Sequence, residues 1–284
     1  MQTCKFRKMN KIKLLKTLFS HPKEIIALGI AALARRQGEV DYQRRNLEKY
    51  NLSQLPTVDM LDLIPGYSGS IHSFTYLNGS SMPTIILMLK CLAERIDHCS
   101  YLELGSFRGE SIANVADVAN DCTSITLSGK EMTEMGFDAG FLKLDRIFSK
   151  DNPKITYHLH NSLTFDFSTL NKKFDLISID ADNSYDSIVK DTRNVFKLLK
   201  NDQSIIVWHN YSIDIENGGV RQDVLAGILD GTPPEYRDNL YHVSNTVCAI
   251  FVRGKYPSTI LKFPSYPKKT FNVKIEAVPF PPKS

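Results

Sequence analysis

The chain has 284 residues, of which 42% are hydrophobic and 23% are charged. This composition is typical of a globular protein with its own core, and it excludes chains built wholly of disorder, collagen or coiled coil. Five cysteines are scattered without a CxxC pair. Such a set predicts reduced thiols that act as packing residues in a cytosolic protein.

The net charge of +4 is unevenly distributed along the chain. Residues 1–23 carry seven lysines and arginines and no acidic residue, so the rest of the chain sums to −3. A body without net positive charge excludes the basic nucleic-acid-binding class. Only the N-terminus is cationic.

The first 50 residues are predicted to be helical. The uncharged run at 25–34 has ten residues, whereas a membrane-spanning helix needs roughly 20. No cleavage site follows it, so no signal peptide is predicted. Before this run, apolar residues recur at helical spacing while lysines occupy other faces: Ile12, Leu15, Leu18 and Phe19. Two alternatives remain open, a basic helix lying on an anionic membrane surface and a helix packed on the body.

The middle of the chain alternates between helical and strand-like segments. Residues 55–79 are irregular and rich in proline and glycine, and a helix is predicted over 82–97. The strand-like runs that follow are 100–105, 124–128, 154–160, 174–180 and 203–210. The helical segments between them are 110–120, 131–149 and 184–200. This alternation predicts right-handed βαβ crossovers and an α/β fold with a parallel sheet.

The C-terminal part of the chain has a different pattern. Residues 240–253 predict a hairpin that adds an antiparallel edge to the sheet. The chain is therefore divided into a helical extension and cap at 1–80, one α/β domain at 81–256, and a Pro-rich surface tail at 257–284.

The most informative local motif follows the first predicted strand of the α/β domain. Glu103 ends a hydrophobic run, Gly105 and Gly109 bracket a tight loop, and a helix opens near Ser111. Glycines let the backbone turn sharply and approach a ligand, and a helix N-terminus offers free N–H groups to an anion. A loop of this kind after the first strand of a βαβ series is a typical cofactor site.

The spacing Glu-x-Gly-x-x-x-Gly resembles motif I of the class I S-adenosylmethionine-dependent methyltransferases. Two later segments resemble this superfamily in the same order, FDLISIDADNSY at 174–185 and LLKNDQSIIVWHNY at 198–211. The resemblance covers about residues 75–255 and is greatest to the macrocin, mycinamicin and novobiocin sugar O-methyltransferases and their relatives from polysaccharide gene clusters. It implies a Rossmann-like, mostly parallel seven-stranded sheet with an antiparallel C-terminal hairpin strand.

The resemblance also implies S-adenosylmethionine as cofactor. The glycines would fold around its methionine part, Glu103 would contact the ammonium, Ser111 the carboxylate, and Asn161 the adenine amine. The full set of predicted cofactor-binding residues is Glu103, Gly105, Ser106, Gly109, Ser111, Thr126, Asn161 and Asp180.

A metal and a base are implied at the ends of two later strands. Asp180, His209 and Asn210 match divalent-metal ligands, and Asp182 matches the general base. The chain departs from the family at three positions: Thr126 replaces a ribose-binding acid, Asn183 a histidine and Asn210 an aspartate. Two routes therefore remain open, Mg²⁺ with Asp182 as base and a metal-free route with His209 as base.

The resulting functional expectation is an O-methyltransferase that acts on a hydroxyl of a sugar, glycan or other small molecule. It is expected in the cytoplasm, with the basic N-terminus as a means of peripheral contact with the inner face of the membrane, and a homo-oligomer is left open. The alternative is a weak or inactive methyltransferase-fold scaffold, in which the three departures record lost binding. A nicotinamide oxidoreductase is disfavoured, because it requires GxGxxG and an acidic ribose partner.

Overall fold

The computed structural model describes residue 20 and residues 22–213, 219–262 and 265–280. The predicted amphipathic helix around residues 12–19 lies outside these residues. The helices are α1 (Pro22–Tyr50), α2 (Met60–Leu63), α3 (Pro83–Glu94), α4 (Glu110–Ala116), α5 (Gly129–Glu134), α6 (Ala139–Leu144), α7 (Tyr185–Phe196) and α8 (Gln222–Gly231). The strands are β1 (Thr57–Val58), β2 (Ser100–Leu104), β3 (Asp121–Thr126), β4 (Ile155–Leu159), β5 (Leu176–Ile179), β6 (Ile205–Trp208), β7 (Leu240–Val243), β8 (Ala249–Phe251) and β9 (Ser258–Thr259).

The nine strands of the described residues form one sheet in the order β4-β3-β2-β5-β6-β8-β7-β1-β9. Strands β2 to β6 are mutually parallel, and β8 is antiparallel to both β6 and β7. The direction of winding reverses between β2 and β5, and open α/β sheets bind ligands in the crevice at such a switch point. The predicted Rossmann-like sheet with its antiparallel hairpin strand is confirmed.

Two features of the fold differ from the sequence-based expectation. The two-residue strands β1 and β9 extend the predicted seven-stranded sheet, because Thr57 pairs with His242 and with Thr259 over long sequence separations. The single helix predicted over 131–149 is wrong. Helix α5 ends at Glu134, and Gly136 follows it with a positive φ of +86°. Asp138 then caps a separate helix, α6, by accepting a hydrogen bond from the Phe141 N–H at 2.9 Å.

The core lies on both faces of the sheet. Successive residues of a strand point to opposite faces, so Leu176 packs with α3 and α4 while Ile177 packs with α7 and α8. Trp208 is the last residue of β6, and Tyr211 lies three residues later; both side chains are fully buried. Trp208 donates its indole N–H to the Thr192 hydroxyl at 2.9 Å. These two aromatic residues therefore belong to the core.

Helix α1 docks on the body through its C-terminal half. Asp230 of α8 receives Arg45, Lys49 and Tyr50 from α1, and Asn46 is buried against the start of α8. No described helix is long and apolar enough to cross a membrane.

Candidate active site

The loop after β2 is fixed by a glycine that no other residue can replace without strain. Gly105 has φ +82°, and a Cβ at this position would overlap the carbonyl oxygen of Asp180. Its N–H donates to the Ile125 carbonyl at 2.9 Å. The motif I loop is therefore packed against the carboxyl ends of both neighbouring strands, at the switch point of the sheet.

Glu103 is the buried acid at the centre of this loop. Its carboxylate accepts hydrogen bonds from the hydroxyls of Tyr101, Ser106 and Ser111 at 2.7–2.8 Å. Burial raises the pKa of Glu103 to about 7, against the opposing effect of the three hydroxyls. Because these partners are neutral, the carboxylate would gain from a cation such as an amino acid ammonium.

The second glycine of the motif is explained by packing within the chain. Gly109 has φ +80° at the start of α4, and a Cβ there would overlap the Ser149 side chain. The neighbouring segment holds the loop through Arg146 N–H to the Phe107 carbonyl and Phe148 N–H to the Arg108 carbonyl, at 2.7 and 3.1 Å. The role of Gly109 around a cofactor stays a prediction.

A cover segment, residues 72–80, is pinned over the start of α4. The buried Arg108 donates to the Ser80 hydroxyl at 2.8 Å and pairs with the buried Glu110 at 3.2 Å. The carboxylate of Glu110 also accepts hydrogen bonds from the N–H and the hydroxyl of Thr75. The cover segment therefore packs on the motif I loop, although Tyr76 within it is exposed.

The end of β3 holds an acid that the sequence analysis missed. Thr126 is buried, as the last residue of β3. Five residues later, the Glu131 carboxylate accepts hydrogen bonds from the Ser128 N–H and hydroxyl and from the Asn161 N–H, at 2.8 to 3.0 Å. Burial opposes ionisation, but these hydrogen bonds prevail and lower the pKa of Glu131. The Ser-x-x-Glu capping box is the sequence signal that marks it.

Asn161 lies beside this acid, just after β4. Its side-chain oxygen accepts a hydrogen bond from the Leu163 N–H at 2.9 Å and so stabilises a local turn. The predicted contact between this oxygen and an adenine amine stays a prediction. Glu131 and Asn161 together place a carboxylate and an amide at the adjacent ends of β3 and β4.

The structure brings together the three residues predicted at the ends of β5 and β6. The Asp180 Oδ1 atom lies 3.3 Å from His209 Nδ1 and 3.4 Å from Asn210 Nδ2. Backbone hydrogen bonds from Asp180 N–H to Leu104 and from His209 N–H to Ile179 anchor both residues to the sheet. Burial raises the pKa of Asp180, while the charge on His209 acts in the opposite direction.

Several polar atoms near this pair lack a hydrogen-bond partner among the described residues. Both ring nitrogens of His209 and the side-chain oxygen of Asn183 are buried and make no hydrogen bond with the described residues. A buried polar atom without a partner costs about 1–3 kcal/mol. These atoms would regain hydrogen bonds if a polar ligand occupied the crevice.

Asp182 has a different environment from the one its predicted role as base requires. Its carboxylate accepts hydrogen bonds from the N–H and hydroxyl of Ser184 and from the Ser187 hydroxyl, at 3.2, 2.8 and 2.5 Å. Burial opposes ionisation, but these hydrogen bonds prevail and lower the pKa of Asp182. Such a carboxylate stabilises the start of α7 and is a weak base.

The predicted metal ligands supply a poor donor set for Mg²⁺. Asp180, His209 and Asn210 offer one carboxylate, one imidazole and one amide, whereas Mg²⁺ prefers an octahedron of oxygen ligands. Asp182 is engaged at α7, and the described residues contain no group of three or more His, Cys, Asp or Glu side chains placed to hold a metal ion. The residues do not fit a resident Mg²⁺ ion.

Comparison with known protein families matches one segment of the chain. Residues 102–211 match the sequence profile of a family described as "Methyltransferase domain". The matched segment covers less than half of the chain, and it contains the glycine loop and the switch point of the sheet, which are typical of S-adenosylmethionine-dependent methyltransferase domains. No curated protein matches the sequence.

Among solved structures, the chain is similar to three O-methyltransferases of low sequence identity. A putative caffeoyl-CoA O-methyltransferase from Staphylococcus aureus is 18% identical, with 62% of this chain and 85% of that chain covered and a TM-score of 0.45. A putative O-methyltransferase from Klebsiella pneumoniae is 14% identical, with 63% and 84% covered and a TM-score of 0.44. TomG from Streptomyces achromogenes, involved in tomaymycin synthesis, is 17% identical, with 62% and 82% covered and a TM-score of 0.42.

Proposed function

We propose that the protein transfers a methyl group from S-adenosylmethionine to a hydroxyl of a small molecule, with His209 as the base. The observation that carries the proposal is the Asp180–His209 pair, which lies 3.3 Å apart directly beside the loop at Gly105. This arrangement supports His209 as a proton acceptor beside the loop at Gly105.

The residues around the switch point fit the cofactor. Glu103 would hold the ammonium of its methionine part, Ser111 at the start of α4 its carboxylate, and Glu131 its ribose hydroxyls. When bound, S-adenosylmethionine supplies a methyl group on an activated sulfonium for in-line displacement. The chain mainly positions the acceptor and receives its proton.

The proton of the acceptor hydroxyl would pass to His209. Imidazole exchanges protons readily near neutral pH, and neither ring nitrogen is engaged in a hydrogen bond with the described residues. His209 would receive the hydroxyl proton as the acceptor oxygen takes the methyl group. The Asp180 carboxylate, 3.3 Å from the ring, would stabilise the resulting imidazolium.

A sugar, glycan or related polyol is the acceptor class that suits the unpartnered atoms. The side-chain oxygen of Asn183 can accept a hydrogen bond, and the His209 ring can donate one and accept one, but none is made with the described residues. Neighbouring hydroxyls of one acceptor would satisfy these atoms together. The unpartnered atoms of Asn183 and His209 therefore favour a neutral acceptor with several hydroxyl groups.

The test combines binding and turnover on the full chain. Calorimetry with S-adenosylhomocysteine should show binding that EDTA does not alter, and a methyl-transfer screen should favour sugars over catechols. Binding without transfer to any hydroxyl compound would contradict the proposed acceptor class. Absence of binding would instead favour the scaffold alternative, in which the domain serves as a partner platform.

A further inference from the structure

Arg221 lies just before α8 and contacts both of the segments that follow β5 and β6. Its backbone N–H donates a hydrogen bond to the Tyr211 carbonyl at 2.9 Å, in the segment that carries His209. Its guanidinium donates from Nη2 to the Asn183 carbonyl at 3.0 Å, in the segment that begins at Asp180. One residue therefore connects the two sides of the Asp180–His209 pair.

This connection lies beyond the end of the sheet. The His209 N–H donates to the Ile179 carbonyl at 3.0 Å and so joins the end of β6 to the end of β5. Past this bond both segments leave the sheet, since Asn210 has φ +57° and α7 begins at Tyr185. Arg221 therefore holds the two segments together at a point where the strands no longer do so.

The guanidinium of Arg221 is itself held in place. The same Nη2 atom donates to the Asp223 carboxylate at 2.9 Å, and the other oxygen of this carboxylate accepts a hydrogen bond from the Val224 N–H at 2.8 Å. The side chains of Arg221 and Asp223 are only 22% and 23% exposed. Hydrogen bonds from a charged donor are stronger than those between neutral groups. The guanidinium is thus a fixed donor for the Asn183 carbonyl.

Asn183 is the residue through which this contact reaches the acceptor. Its Nδ2 donates to the Ala181 carbonyl at 3.3 Å, while its side-chain oxygen is buried and has no hydrogen-bond partner among the described residues. The direction of that oxygen depends on the backbone that Arg221 holds. We infer that Arg221 is a positioning residue, which orients Asn183 toward a hydroxyl of the acceptor and thereby sets acceptor affinity. The inference rests on the proposed function, because it requires an acceptor beside His209.

The first test is steady-state methyl transfer by the full chain to a panel of monosaccharides. With the best acceptor of the panel, Arg221→Ala should raise KM roughly ten- to hundredfold, as expected for the loss of a hydrogen bond from a charged donor, and should change kcat less. Arg221→Lys should recover most of the affinity, since both hydrogen bonds come from one nitrogen that an ammonium can replace. Both variants should bind S-adenosylhomocysteine like the wild type.

A matched control lies at the other end of α8. Arg237 also donates to a backbone carbonyl at 3.0 Å, that of Leu229, but this contact is not part of the segments after β5 and β6. Arg237→Ala should therefore leave the acceptor KM unchanged. An equal rise of KM in Arg237→Ala and Arg221→Ala would reduce the role of Arg221 to general stability and overturn the inference.

A double-variant cycle separates positioning from direct contact with the acceptor. If Arg221 acts through Asn183, the combined variant Arg221→Ala, Asn183→Ala should raise KM no more than the more damaging of the two single variants. Effects that multiply would overturn the inference and would place the guanidinium against the acceptor itself.

Hydrogen exchange tests the same contact without an acceptor. The reporters are the amides of Ser184 and Ile188, which donate to the Asp182 carboxylate and to the Ser184 carbonyl. In Arg221→Ala they should exchange about tenfold faster or more, with no change in the motif I loop. Unchanged exchange at these amides, or an unchanged KM in an active enzyme, would overturn the inference. A wild type that binds S-adenosylhomocysteine but methylates no sugar would contradict the proposed function, whatever the exchange shows.

Discussion

The two halves of the crevice differ in how completely the chain satisfies their polar groups. Around β2, the buried Glu103 carboxylate accepts hydrogen bonds from three hydroxyls. At the ends of β5 and β6, the ring nitrogens of His209 and the Asn183 oxygen have no hydrogen-bond partner among the described residues. Under the proposed function, the half around Glu103 would bind the cofactor with little rearrangement, whereas the half around His209 would be completed by the acceptor.

The largest expected effect lies in the acceptor half. His209→Ala should reduce kcat about 10²- to 10⁴-fold, the usual contribution of a positioned general base, with little change in S-adenosylhomocysteine affinity. The exposed His98 provides the control, and His98→Ala should leave both quantities unchanged. A His209→Ala variant with near wild-type kcat would assign the base elsewhere and remove the proposed division between the halves.

The next largest effect is expected for a substitution of Gly105, which lies between the two halves of the crevice. Gly105→Ala places a side chain at φ +82° and against the Asp180 carbonyl, so it should lower both the melting temperature and the cofactor affinity, the latter by about tenfold or more. Gly129→Ala is the matched control, because nothing lies within 4 Å of a Cβ there. Equal behaviour of the two variants, measured by thermal melting and calorimetry, would contradict the close packing at Gly105.

The cofactor half should also give a pH dependence of smaller size. If ionised Glu103 holds the ammonium, S-adenosylhomocysteine affinity should rise about tenfold from pH 6 to pH 8, because a pKa of about 7 leaves most of the group protonated at pH 6. Glu103→Gln should abolish this rise. The control Asp191→Asn, at the other buried carboxyl with a pKa of about 7, should retain it.

The same raised pKa of Glu103 has a consequence for stability. The folded protein holds this proton more tightly than the unfolded chain, whose value is near 4.5. The contribution of this group to stability is therefore present below pH 4.5 and is lost as the pH rises through about 7. The free energy of unfolding of the wild type minus that of Glu103→Gln should therefore fall as the pH rises from 4.5 to above 7. A difference that rises with pH would contradict this prediction.

The smallest effect is expected at Asp182. Asp182→Asn should cost about 1 kcal/mol of unfolding free energy through the weakened start of α7, and it should change kcat by no more than a few-fold. Ser187→Ala, which removes one of its hydrogen-bond donors, should have a similar effect on stability. A loss of 100-fold or more in kcat for Asp182→Asn alone would show that this residue is the base.

Much of the fold could be predicted because its signals are local. The strand runs, the loop at Gly105 and the strand-end residues Asp180 and His209 each follow from a few neighbouring positions, and parallel strands bring their ends together. The pairing of β1 and β9 could not be predicted from two-residue strands, whose partners are distant in sequence.

The details of the site depended on contacts that a motif does not contain. Glu131 lies in a helix cap, so its reach to Asn161 appears only once β3 and β4 are paired. Asp182 matched a catalytic position by spacing, but the two serines that engage it decide its chemistry. The absence of hydrogen bonds at His209 within the described residues is likewise a property of the folded crevice.

The most direct test of the account is a calorimetric titration of S-adenosylhomocysteine into the wild type and into His209→Ala, both in EDTA. The account predicts micromolar binding of equal strength to the two proteins, because the cofactor half is complete without the base and without a metal. No detectable heat with either protein would contradict it and would leave a methyltransferase fold without a working cofactor site.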